Sequence, residues 1–97
     1  MIGVATAHRQ VTASNGVEVD EGIAELLEAL WSRGMVTEFS CQGEHGKLAH
    51  ICFARTADAR RFMQAPGEFL ITVGESRRTW VDFPPQQIAD LTRYWSI

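Results

Sequence analysis

Between Gly34 and Phe53 the sequence GMVTEFSCQGEHGKLAHICF holds two short runs rich in β-branched and aromatic residues, Met35–Cys41 and Leu48–Phe53. The polar stretch Gln42–Lys47, with Gly43 and Gly46 in it, joins them. A connection of this length and composition returns the chain as an antiparallel hairpin. The rest of the chain must therefore cover one face of that hairpin.

The best candidate for the cover precedes it. Ile23, Leu26, Leu27, Leu30 and Trp31 recur at helical spacing and make one apolar stripe. Asp20 stands where a cap is expected, and Gly34 follows as the residue that ends the helix. Upstream, Asn15-Gly16 marks a type I′ turn or an ordered loop, and Ile2–Val11 alternates loosely as a weak strand. Downstream, Thr56 caps a short helix over Ala57–Gln64, and Pro66-Gly67 makes a turn. Phe69–Gly74 and Arg78–Phe83 then read as a second hairpin. Pro84-Pro85 opens a last helix with the stripe Ile88, Leu91, Trp95. This order predicts a single α+β domain over residues 1–97. Its two layers are an antiparallel sheet from two helix–hairpin units and helices on one face.

Hydrophobic content of 45% supports a folded core, and a net charge of −3 gives no general attraction to long nucleic acids. No apolar run reaches membrane-spanning length, and MIGVATAHRQ lacks the regions of a signal peptide. The expectation is a cytoplasmic protein with no membrane partner, in which Cys41 and Cys52 stay reduced. Eight of the nine basic residues are Arg. That choice suits a bidentate anion partner, as it also suits a GC-rich genome.

Alternation divides each strand into two faces. One set, Phe39, Cys41, Ile51 and Phe53 with Phe69, Ile71, Val73, Thr79, Val81 and Phe83, suits the core. The other set is Glu38, Ser40, His50, Cys52, Leu70, Thr72, Arg78, Trp80 and Asp82. It is too polar for a second core and carries a large ring, which marks either a dimer seam or a ligand face. The ligand reading places a small anionic molecule, nucleotide-type, at the rim where the Gln42–Lys47 loop meets this face. Trp80 would stack on a ring and Arg78 would pair with the anion. Backbone amides around Gly43 and Gly46 would face the anion, and Ser40, Gln42 and His45 would tune recognition.

Two chemical readings compete with this one, a structural zinc site and a cysteine nucleophile. Cys41, His45, His50 and Cys52 have no CxxC pair and fall on opposite faces, so no metal site is expected from them. Cys41 with His45 or His50 as base makes a hydrolase or transferase the rival reading, although no third orienting residue can be named. No catalytic set closes and no cofactor is expected, so a binding module is favoured. A protein–protein adaptor is the third class, and a homodimer or higher homo-oligomer is expected from the open face.

The residues Trp31, Gly34, Thr37, Ser40, Cys41, Gln42 and Gly43 spell W-x2-G-x2-T-x2-SCQG. Over Val17–Phe62 this resembles a group of small, largely uncharacterised proteins of actinobacteria and their phages. Small phage proteins that sequester nucleotide signals of host immunity are similar in size and oligomeric habit. The resemblance therefore implies an anti-defence role. A fainter likeness, to the Ser-Cys-Ser-Gly segment of tRNA wybutosine methyltransferases, breaks at Gln42.

Overall fold

The computed structural model describes residues 8–44 and 46–97. In chain order come β1 (Gln10–Thr12), β2 (Glu18–Asp20), α1 (Glu21–Ser32), β3 (Thr37–Cys41) and β4 (Ala49–Phe53). They are followed by α2 (Thr56–Phe62), β5 (Leu70–Val73), β6 (Thr79–Phe83) and α3 (Ile88–Trp95), with 3-10 turns at Glu75–Arg77 and Pro85–Gln87. The fold is α+β. Strands β1 and β2 form a two-stranded ribbon, and a four-stranded antiparallel sheet has the order β3-β4-β6-β5. No described helix is long and apolar enough to cross a membrane. The strand expected over Ile2–Val11 falls mostly outside the described residues, and its last part belongs to β1.

Helix α1 forms where the stripe predicts it, burying Ile23, Leu26, Leu27 and Leu30. It stops in a Schellman turn: Gly34 N–H donates to Trp31 C=O and Met35 N–H to Leu30 C=O. Gly34 sits at φ +84°, where glycine carries no Cβ penalty. Trp31 is half-buried, its indole N–H donating to Thr37 Oγ1 at 2.8 Å. At the other end Asp20 occupies the cap position, yet its carboxylate caps nothing in α1. It is engaged elsewhere.

The Asn15-Gly16 turn differs from the expected type I′. Only Gly16 has positive φ, and Gly16 N–H donates to Ala13 C=O while Ala13 N–H donates to Val17 C=O. That is a type I turn closed by a left-handed glycine, the pattern of a G1 bulge. Helix α2 likewise begins one residue early, with Arg55 in the cap position and the Thr56 hydroxyl against Thr79 Oγ1 at 2.9 Å.

One face of the sheet, Ala49, Ile51, Phe53, Thr79, Val81 and Phe83, is buried. It joins α1, Phe62 of α2 and Leu91 and Trp95 of α3 in one core. The Phe62 ring meets Phe53 at 5.4 Å and Phe83 at 5.7 Å between centroids.

Two expectations about this core are corrected. A bulge between Thr37 and Phe39 inserts Glu38 and reverses the alternation of the rest of β3. Phe39 is thereby 53% exposed on the open face, opposite Cys52, and Cys41 is half-buried there, opposite His50. Ser40 moves the other way, opposite Ile51 on the helix side. Ile71 and Val73 do share the face of Val81 and Thr79, but they are 44% and 59% exposed. Helix α2 packs on β4 and β6, and β5 lies at the edge beyond that cover.

Candidate functional site

The open face of the sheet is built by register. Phe39, Cys52, Trp80 and Thr72 form one row across the four strands, and Cys41, His50, Asp82 and Leu70 form the next. Phe39 and Trp80 flank Cys52, and their rings are parallel within 4° with centroids 5.9 Å apart. His50 meets Trp80 edge-on at 5.4 Å. Beneath the rings Cys52 has no exposed surface. Burial pushes the Cys52 thiol up, the Glu38 carboxylate adds to that, and the Arg78 guanidinium opposes it.

The bulge also decides what Arg78 does. It brings Glu38 within reach, and Arg78 Nε donates to Glu38 Oε1 at 2.6 Å. The guanidinium carbon lies 5.6 Å from the Phe39 ring centre, close enough for a cation–π contact. The result is a platform made of a stacked aromatic pair, with one guanidinium and one carboxylate at its border. Sequence reasoning placed Trp80 and Arg78 here. It missed Phe39, which the bulge alone delivers.

The other expected site residues do not join them. The loop enters β4 beside Phe83, since Ala49 pairs with Phe83, whereas Arg78 precedes the end of β6 that pairs with Phe53. A five-residue strand such as β6 spans roughly 17 Å, so loop and guanidinium sit at opposite ends of the sheet. Gln42 points away, its Oε1 accepting Gly22 N–H at 2.7 Å at the start of α1. Gly43 is buried with φ +71°, and a Cβ there would stand 2.7 Å from Ala49 N. Close passage of the loop over its own strand, not an anion, requires that glycine. Glu44 and Lys47 close the loop through a pair of backbone hydrogen bonds. His45 lies outside the described residues.

A cleft of about 780 Å³ runs between the start of α1, this loop and α3. Glu21, Glu25 and Glu44 line it, and Arg93, the one cationic residue among its described lining, is paired with Asp90. Such a lining repels an anion. An anionic ligand is better served by the platform, where Arg78 stands.

A second group gathers at the edge of β3. His8 Nδ1 lies 3.0 Å from Asp20 Oδ2, and one ring nitrogen of His8, a carboxylate oxygen of Asp20 and Cys41 Sγ all lie within 4.8 Å of one another. Gln10 Nε2 and Gln42 N–H also donate to Asp20, each at 3.1 Å. Burial alone would raise the Asp20 carboxyl, but these hydrogen bonds and the His8 imidazole together hold it below the usual carboxylate range. Sequence reading took Asp20 for a helix cap and His8 for part of a weak strand. No spacing rule links residues 8, 20 and 41.

No family profile, curated protein or solved structure matches the chain.

Proposed function

We propose that this protein is a non-enzymatic small-ligand-binding module whose open sheet face takes a nucleotide-type ligand. The observation that carries the reading is the parallel Phe39–Trp80 platform with Arg78 at its border. A nucleobase laid against Trp80 continues the stack, and base–aromatic stacking is worth roughly 1–3 kcal/mol per base. The anionic part of the ligand pairs with Arg78 by taking the place of Glu38, and Glu38 is then free to accept from the edge of a base. Ligands with a flat ring and one or two phosphates fit this description, and long nucleic acids do not, given the net charge of −3.

The resemblance to small actinobacterial and phage proteins supports a sequestering, anti-defence role in the cytoplasm. Two copies joined through β5 form the working assembly. The rival, a Cys41-dependent hydrolase or transferase, draws on the closeness of His8 and Asp20 to Cys41. The deciding experiment incubates the protein with mono-, di- and cyclic nucleotides, removes unbound material, and releases what is held by heat. Intact ligand recovered in stoichiometric amount supports sequestration. Altered ligand installs the enzyme reading, and an empty protein leaves the adaptor class.

A further inference from the structure

We infer that His8, Asp20 and Cys41 form a binding site for a divalent cation of the zinc class, with Glu44 as the outer partner of the imidazole. This does not rest on the nucleotide reading.

The donor set comes first. An imidazole nitrogen, a carboxylate oxygen and a thiolate sulfur together suit a borderline ion such as zinc, and suit magnesium or calcium poorly. The donors come from three separate places: the residue region before β1, the end of β2 and the end of β3. Tetrahedral zinc, with bonds of about 2.0–2.3 Å, holds its donors roughly 3.3–3.8 Å apart. The three atoms here lie within 4.8 Å, so a contraction of about 1 Å closes the set.

The surroundings of each donor fit the same reading. Asp20 is already ionised and oriented, because Gln10 and the Gln42 N–H hold its two oxygens. His8 Nδ1 lies 3.0 Å from Asp20 Oδ2, the spacing of two donors on one ion, and we take it as the nitrogen for the ion. His8 Nε2 is buried and has no hydrogen-bond partner among the described residues. Its nearest carboxylate oxygen is Glu44 Oε1 at 3.6 Å. Metal-bound imidazoles commonly donate their second N–H to a carboxylate, and that contact would close here once His8 is fixed by the ion.

A cysteine–histidine–carboxylate relay explains the cluster less well. In a relay the nitrogen remote from the carboxylate faces the sulfur. Here the nitrogen remote from Asp20 has a second carboxylate, Glu44 Oε1, at 3.6 Å, a neighbour that a relay does not call for. Three protein donors leave one position of a tetrahedral ion for water or a ligand, the arrangement of an open zinc site.

The test uses the full chain, stripped of metal with a chelator and titrated with cobalt(II) and then zinc. Expected is one equivalent of cobalt with a thiolate-to-metal charge-transfer band in the near ultraviolet. Zinc should displace it with a dissociation constant below about 1 μM. Cys52→Ser should keep the band and Cys41→Ser should abolish it, with far-ultraviolet circular dichroism confirming that both variants fold. Glu44→Gln should weaken zinc binding about tenfold while leaving the band in place, as loss of an outer-shell partner does. Should Cys41→Ser fail to fold, zinc protection of Cys41 from iodoacetamide in the unaltered chain reads the same contact. The inference is overturned if no charge-transfer band forms, if Cys41→Ser binds zinc as tightly as the unaltered chain, or if zinc does not slow alkylation of Cys41.

Discussion

Phe39 and Trp80 have similar roles on the platform but differ in how a sequence reveals them. Trp80 follows from simple alternation along β6, whereas Phe39 reaches the open face because one inserted residue, Glu38, shifts the register. If Phe39 were a core residue, Phe39→Ala would cost about 3–5 kcal/mol of stability. With half its surface in water it should cost far less. We expect Phe39→Ala and Trp80→Ala each to weaken nucleotide binding about tenfold or more, measured by calorimetry, with the melting transition of Phe39→Ala little changed. The two thiols separate in the same way. Cys52, fully buried with its thiol pushed up, should resist iodoacetamide in the native, metal-free chain, while half-buried Cys41 reacts. Mass spectrometry of the native and the denatured protein reads both sites, and prompt labelling of Cys52 would contradict the packing described. The reaction of Cys41 here concerns access alone.

At the scale of elements, periodicity carried most of the information. The α1 stripe, both hairpins and the α3 stripe occupy the places their patterns predict, because each pattern encodes one face that must leave water. Alternation assigned Ile71 and Val73 to the correct face of the sheet but could not say how far the helical layer extends over it. Nor could local rules bring His8, Asp20 and Cys41 together, since their meeting depends on how the β1–β2 ribbon docks beside β3. That docking has its own fastening. Ser14, in the turn of the ribbon, donates its N–H to Glu28 Oε2 at 2.8 Å and its hydroxyl to Glu28 Oε1. These two hydrogen bonds hold the Glu28 carboxyl below the usual carboxylate range. A group held low in the folded state stabilises it above its unfolded value, and the contribution fades as pH falls through the folded value. Glu28→Gln should therefore loosen the ribbon at neutral pH, with faster amide exchange at Ala13 and Val17. The difference from the unaltered chain should persist in mildly acidic solution and vanish only in acid, once the pH has fallen through the lowered value of Glu28. An equal difference at all pH values would show that the carboxylate charge plays no part.

At the scale of the whole molecule, no strand among the described residues pairs with the outer edge of β5, and the hydrogen-bond phase there defines what can pair with it. Gly74 N–H donates to Arg78 C=O at 2.7 Å, and the register continues through Thr72 opposite Trp80 and Leu70 opposite Asp82. Antiparallel pairs alternate between bonded and non-bonded, so Thr72 and Leu70 turn their backbone groups toward β6. Ile71 and Val73 therefore turn theirs outward, toward the free edge. A two-fold axis through Thr72, normal to the sheet, sets Ile71 of one copy opposite Val73 of the other, and these outward groups meet in bonded pairs. The same step packs the exposed Ile71 and Val73 side chains against each other. β5 has none of the lysines or prolines that usually blunt an edge, and every one of its residues is exposed. Because the axis is normal to the sheet, both aromatic platforms face the same side of the resulting eight-stranded sheet. Light scattering across micromolar to millimolar concentration should give twice the chain mass. Ile71→Lys combined with Val73→Lys should give the monomer mass with unchanged circular dichroism, since neither side chain is buried within one copy. A monomer mass for the unaltered chain at every concentration, or a dimer that survives both lysines, would remove β5 as the seam.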